Sequence, residues 1–180
     1  MPEIETARLR LRGFTQDDLD DLLLIRSDPE VMRYIGTGAP ATREQTQARI
    51  NNHLAQWEQH GFGQWAVVHK GHGKLIGWCG LGFLERTPEV EIGYGFDKPY
   101  WGMGIASEAA AATLRYGFER LQLESIVAVA MPENIGSWRV MEKLGMKYVK
   151  RAHYYETDVL YYAISREEYR PGESPYILRS

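Results

Sequence analysis

The stretch YWGMGIASEA, Tyr100 to Ala109, carries the clearest chemical signal in the chain. Gly102 and Gly104 stand one residue apart and lead straight into an alanine-rich run that reads as a helix. Glycine has no Cβ, so a ligand can press against the backbone at both positions. The first N–H groups of a helix lack internal partners, and the helix dipole favours negative charge there by about 0.3–1 kcal/mol per charge. A loop of this kind feeding a helix start is an anion site, and a diphosphate is its natural guest.

Two common diphosphate loops do not fit. A nucleoside triphosphate loop requires Gly-x-x-x-x-Gly-Lys-Ser/Thr, and no lysine follows these glycines. A dinucleotide fingerprint requires a third glycine where Ser107 stands, early in the chain, and an acid after the next strand; SIVAVA, Ser125 to Ala130, ends without one. Taken alone, the two glycines are also compatible with an ordinary turn.

The elements that must position this turn follow from periodicity. TARLRLRGF alternates leucine with arginine and predicts a half-buried strand. Thr15 opens a helix with acids in its first turn, and a short helix follows in DPEVMRYI. Thr42 and Gln45 form a capping-box pattern before a long helix that Gly61 stops. GQWAVVHK and KLIGWCGLGF flank a Gly71-His72-Gly73 turn and predict a hairpin, and EVEIGYGF is a further, glycine-rich strand. After the opening stretch come SIVAVA as a buried strand, ENIGSWRVMEKLG as a helix closed by Gly145, and the strands MKYVKRAHYY and DVLYYAIS. The tail YRPGESPYILRS is expected to be irregular. Antiparallel strands followed by two crossovers predict a mixed α/β sheet with helices on both faces.

Composition narrows the classes. The 180 residues suit one domain, with 44% hydrophobic and 25% charged residues, both ordinary for a globular chain. A net charge of -3 without a basic stripe argues against a nucleic-acid partner. No apolar run is long enough to span a bilayer, and MPEIETARLRLR lacks a signal peptide's apolar stretch, so no membrane association is expected. The single cysteine, Cys79, fits a reducing cytoplasm. The histidines show no metal-ligand spacing and no Gly-x-Ser-x-Gly elbow is present, so neither a metal site nor serine hydrolysis is expected.

Four features together resemble the Gcn5-related N-acetyltransferases, in particular the ribosomal-protein N-terminal acetyltransferase branch (RimJ/RimL-like): EIGYGFDKPYWGMGIASEA, ENIGSWRVMEKLGM, the opening TARLRLRGF and the element order. The resemblance covers nearly the whole chain and is weakest in the tail and from Gly36 to Gln64. It implies an α+β fold with a mostly antiparallel sheet of about six to seven strands, one domain over residues 1–168 and a tail over 169–180. It also implies acetyl-CoA as cofactor and an amine as acceptor, either a protein N-terminus or a small molecule, in a monomer or homodimer.

Carried over residue by residue, the resemblance assigns the pyrophosphate to the amides of Trp101, Gly102, Met103, Gly104, Ile105 and Ala106. Pro99 stands where the general pattern has Arg or Gln. Around Tyr94 to Phe96 the preceding strand should splay from its neighbour and pair with the pantetheine amides, with Gly93 and Gly95 marking close ligand approach. Asn134 should bond the pantetheine or phosphate region, and Lys143, with Arg139, should meet the outer phosphate. The alternative is that Asn134 merely caps its helix and Ser137 packs in the first turn.

Acyl transfer needs a neutral amine. A free α-amine, with a pKa of about 7.7–8.0, costs about 1 kcal/mol to hold neutral at pH 7; a lysine, near 10.4, costs about 4.6 kcal/mol. The resemblance makes Glu91 the base candidate, with Glu89 on the same face by alternation; a positioning role for Glu91 stays open. Relatives commonly carry a tyrosine in the last helix as proton donor to the departing thiolate, but Met141 holds that position. Ser137 is the replacement this branch suggests. No residue is a clear covalent carrier, so direct transfer in a ternary complex is expected. A non-catalytic coenzyme A-binding sensor and a nucleotide-dependent enzyme are the alternative readings.

Overall fold

The computed structural model describes residues 1–180. Its centre is one nine-stranded sheet in the order β7-β8-β6-β5-β4-β3-β2-β1-β9. The strands are β1 (Glu3–Glu5), β2 (Leu9–Arg12), β3 (Gln64–His69), β4 (Leu75–Phe83), β5 (Val90–Phe96), β6 (Ser125–Ala130), β7 (Lys147–Tyr154), β8 (Thr157–Ser165) and β9 (Ile177–Arg179). Every neighbouring pair is antiparallel except β5 and β6. The expected mixed, mostly antiparallel sheet is therefore present, with more strands than the six to seven expected. Both additional strands, β1 and β9, lie at one edge and are only three residues long. The tail is thus not wholly irregular: Ile177–Arg179 pairs with β1, Arg179 Nε donates to Glu5 Oε1 at 2.8 Å, and Tyr169, Tyr176 and Leu178 pack on the core.

The helices are α1 (Leu19–Arg26), α2 (Pro29–Met32), α3 (Arg43–His60), α4 (Ile105–Arg115) and α5 (Ile135–Lys143). Local chemistry sets their limits. Thr42 Oγ1 accepts from the Gln45 amide at 3.2 Å and Gln45 Oε1 accepts from the Thr42 amide at 2.9 Å, which satisfies two orphan donors of α3. Gly61, at φ 71°, closes the same helix in the left-handed region. Asp28 caps α2, accepting from the Glu30 amide at 2.8 Å, with Pro29 in the first turn.

Side-chain alternation along β3, β4 and β5 divides the core into two layers. One face buries Trp65, Val67, Ile76, Leu81, Ile92 and Phe96 against α4 and α5. The opposite face buries Ala66 and Trp78 against Phe14, Leu22, Ile25 and Ile50 of α1, α3 and the approach to α1. Strands β5 and β6 are joined through α4, and their register consists of a single pair, Glu91↔Val127. From Ile92 onward they diverge, and that opening is where the site lies.

Candidate active site

The glycine turn is built by its neighbours. Pro99 sits in a short 3-10 turn, Lys98–Tyr100, and the Trp101 indole Nε1 donates to the Phe96 carbonyl at 2.8 Å. Gly102 and Gly104 have φ of 71° and 76°, a region that favours glycine. Arg8, from the turn before β2, fastens the far side: its Nη1 donates to the Met103 carbonyl at 2.8 Å and its Nε to Glu108 Oε2 at 2.7 Å. Glu108 Oε1 also accepts from the Arg8 amide at 2.8 Å and the Thr6 hydroxyl at 2.5 Å. These bonds hold the Glu108 carboxyl below the usual carboxylate range in spite of its burial.

The amides of Gly102, Met103, Gly104, Ile105 and Ala106 have no partner inside the protein. Trp101 differs from the expectation: its amide donates to the Lys98 carbonyl at 3.1 Å, because Trp101 caps the 3-10 turn that Lys98–Tyr100 forms. A Cβ built at Gly102 meets nothing within 4 Å, so the hollow above these amides is open.

A cleft of about 550 Å³ runs from this turn along the opened edge of β5 to the start of α5. It brings together Tyr94, Phe96, Trp101, Gly102, Gly104, Ile105, Ala106, Asn134, Ser137, Arg139 and Lys143, and the segment from Glu30 to Ile35 forms another wall. Met103 is not among the lining residues; its side chain is exposed and only its amide is available. Phe96 contributes less than expected, since its ring is buried in the core and its carbonyl is engaged by Trp101. The Asn134 side chain makes no cap bond to α5 and is free to meet a ligand. Lys143 and Arg139 are exposed at the cleft and form no ion pair within the protein, and Arg139 lies 5.9 Å from the Trp138 ring. Met141 is buried in the core, so it offers no proton donor.

The structure supplies a hydroxyl pair that sequence order conceals. Ser137 Oγ donates to Tyr94 Oη at 3.2 Å, and Tyr94 Oη donates to the Ser137 carbonyl at 2.9 Å. Burial raises the Tyr94 pKa, against the opposing hydrogen bond of Ser137, so the phenol stays protonated.

Glu91 stands outside this lining, at the inner end of the opening where β5 and β6 meet, and its side chain alternates to the α1/α3 face. Desolvation raises its pKa to about 7; a hydrogen bond from Tyr155 Oη to Oε2, at 2.5 Å, and the charge of Arg49 pull the other way. Tyr155 comes from the turn between β7 and β8. Glu89 is taken: it accepts from the Tyr161 hydroxyl and stays beside β8.

Gly93 and Gly95 share the Glu91 face, and at Gly95 a neighbouring side chain already excludes a Cβ. A Cβ at Gly95 would fall 2.3 Å from Trp78 Cζ2, so the indole by itself requires that glycine. A Cβ at Gly93 would lie 3.4 Å from Gln64 Nε2. Around them are groups that no motif announced: Arg26 on α1, Arg49 and His53 on α3, and Gln64 on β3. Arg26 Nε, His53 Nδ1 and Gln64 Oε1 are buried without hydrogen-bond partners. The helical spacing of Arg49 and His53 was the only legible signal for any of them.

Comparison with known proteins identifies the family. Residues 8–147 match the family model described as an acetyltransferase (GNAT) domain. The chain belongs to the GNAT acetyltransferases. It is 34% identical over 175 residues to the uncharacterized N-acetyltransferase YnaD of Bacillus subtilis, covering 92% of this chain and 98% of that protein. A crystal structure of a GNAT-family acetyltransferase from Bacillus anthracis superposes with a TM-score of 0.79 at 35% identity, covering 92% of this chain and 99% of that one. The ribosomal-protein-S5-alanine acetyltransferase of Vibrio fischeri shares the fold, with a TM-score of 0.76 at 22% identity over 94% of this chain and 99% of that one. The protein is therefore an N-acetyltransferase of the GNAT type, and acetyl-CoA is the acetyl donor of such enzymes. No helix is long and apolar enough to cross a membrane.

Proposed function

We propose that this GNAT enzyme transfers the acetyl group of acetyl-CoA directly to a primary amine within a ternary complex. The observation that carries the reading is the row of unpartnered amides from Gly102 to Ala106, continuous with a cleft that leads along β5 toward Glu91. The diphosphate of coenzyme A would lie on those amides, its pantetheine along Tyr94 and Asn134, and its outer phosphate near Lys143 and Arg139. The acetyl-CoA supplies the activated thioester; the protein supplies position and proton transfer.

Glu91 is the general base of this reading. A carboxyl with a pKa of about 7 matches the proton of an ammonium better than an ordinary glutamate does. As the amine nitrogen attacks the thioester carbonyl, a proton passes to Glu91 and the carbon–sulfur bond breaks. The Ser137 hydroxyl, held in place beside Tyr94, then turns its single O–H from Tyr94 Oη to the departing thiolate. Cys79 is a poor covalent carrier, since burial pushes its thiol up to about 12. The single cysteine agrees with a reducing, cytoplasmic setting.

The test is to incubate the protein with acetyl-CoA and a panel of amines, following free thiol release and the mass gain of one acetyl group. Acetylated amine with stoichiometric thiol supports the reading. Tight coenzyme A binding with no turnover on a broad panel points instead to a sensor module.

A further inference from the structure

Two guanidinium groups on the Glu91 face lack the counter-charge that such groups normally find. Arg26 and Arg49 appear in no ion pair and in no side-chain hydrogen bond, although each carries five N–H donors. By contrast, Arg8, Arg10, Arg12 and Arg43 each hold a carboxylate at 2.7–2.8 Å. Arg26 Nε is fully buried without a partner, a state that native structures avoid unless something else fills it. Desolvation lowers the Arg26 pKa to about 10, and the neighbouring charge of Arg49 adds to the effect. A buried guanidinium nitrogen without a protein partner can be satisfied by an anion from outside the chain.

The surroundings define which anion. Arg49 is exposed and pairs with no carboxylate, so an anion arriving from solvent can reach it. His53, one turn along α3, is buried and stacks on Phe14 at 5.1 Å. Burial and the two arginines hold it neutral, its pKa pushed down to about 3, so it adds no charge. The carboxylate whose charge reaches Arg49 is that of Glu91, and Tyr155 already donates to it. This face thus presents two unpaired guanidiniums near the Glu91 carboxyl, an arrangement that favours an acceptor carrying a negative charge of its own. Gln64 adds a buried, unpartnered carbonyl oxygen on the same face, with its side-chain amide beside Gly93.

We infer that the acceptor is a primary amine carrying a carboxylate within a few bonds, the carboxylate received by Arg49 with Arg26 behind it, and the amine received by Glu91 and Gln64. The inference rests on the acetyltransferase reading above and deepens it from an amine to a zwitterionic amine. A carboxylate suits the planar guanidinium fork, and it offsets the surplus positive charge that an amine alone leaves in place. The carboxylate has two possible sources: the α-carboxylate of a free amino acid, or an acidic side chain next to the amino end of a peptide.

The experiment compares matched acceptors. Free amino acids are set against their carboxamides, and dipeptide amides with aspartate or glutamate second against those with asparagine or glutamine second. The carboxylate member of at least one set should show a kcat/KM at least about tenfold higher, the size of one charge-assisted hydrogen bond. That ratio should collapse toward one in Arg49→Gln and recover in part in Arg49→Lys, with the Kd for coenzyme A reporting an intact fold. Arg26→Met should reduce the same ratio and raise Tm, since it removes an unpartnered buried charge. Acetylation of carboxylates and amides alike would overturn the inference and leave the acetyltransferase reading standing. If no amine is acetylated, heat stability of the coenzyme A complex decides. Greater stabilisation by amino acids than by their amides, lost in Arg49→Gln, would keep the inference, and equal stabilisation would end it.

Discussion

Tyr155 and Glu91 lie 64 positions apart in the chain, yet the Tyr155 hydroxyl donates to Glu91 Oε2 at 2.5 Å. The bond ties the β7–β8 turn to the middle of the sheet and lowers the proton affinity of Glu91, the proposed base. A hydrogen bond to the ionised carboxylate lowers its pKa, so its loss must raise it. Tyr155→Phe should therefore move the activity midpoint upward from about pH 7, with acetylation weakened at neutral pH and recovered in more alkaline buffer. A pH–rate profile of kcat/KM, compared between the two proteins with one acceptor, checks the direction. An unmoved midpoint would remove Glu91 as the titrating base.

Glu91→Gln tests the same carboxyl through stability. Its folded pKa, about 7, exceeds its ordinary value of 4.5, so the folded state holds the extra proton between those values. The associated stability is complete below the lower value and is lost as pH rises through the upper one. The glutamine variant should escape that loss. At pH 8 it should be more stable than its parent by on the order of 1–2 kcal/mol, allowing for solvent contact, and catalytically impaired. Denaturant melts at pH 5 and pH 8 measure the difference.

Gly104→Glu should abolish coenzyme A binding. Any side chain at φ 76° is strained by roughly 1–2 kcal/mol, and a carboxylate there competes with the diphosphate for the free amides. Calorimetric titration should show at least about a hundredfold weaker binding, the combined effect of lost space and like charge. Unchanged affinity would displace the diphosphate from this turn.

Ser137→Ala should lower kcat with little change in KM, because the hydroxyl acts on a charge that develops only as the bond breaks. Tyr94→Phe should produce a related loss. The two hydroxyls share a hydrogen bond, so the double variant should be less impaired than the product of the single effects. A strictly multiplicative loss in thiol-release kinetics would mean that they act independently.

Glu108→Ala should loosen the cradle from outside. Removing the carboxylate strands Arg8, whose Nη1 bonds the Met103 carbonyl, and Tm should fall by an amount equivalent to about 2 kcal/mol. Because the folded pKa of Glu108 is depressed, its contribution is present above the ordinary value of 4.5 and is lost as pH falls through the lowered one. Parent and variant melts should therefore converge in acid.

Most of the fold was legible because its elements are written locally. The capping box at Thr42, the stop at Gly61 and the alternation of Leu9 and Leu11 each depend on residues a few positions apart. β9 was hidden because a three-residue edge strand draws its order from β1 and not from its own pattern. The cradle was legible for the same local reason as the helices, apart from the Trp101 amide, which the 3-10 turn consumes. The packing demand on Gly95 was hidden because the indole that makes it belongs to another strand. The partners of Glu91 and of Ser137 were invisible since each pair joins segments more than 40 residues apart. Arg49 and Gln64 fell in the region where the resemblance is weakest, Arg26 carried no motif, and only the fold brings the three to the Glu91 face.

The solitary backbone pairing at Glu91↔Val127 divides the molecule into a six-stranded slab and a three-stranded one, with α4 as the covalent strap between them. A molecule wedged into the fork therefore acts as mortar as well as cargo. Hydrogen exchange in β6 and β8 should slow when the fork is filled, even though few of those amides touch the occupant, because the two slabs can then part only by expelling it.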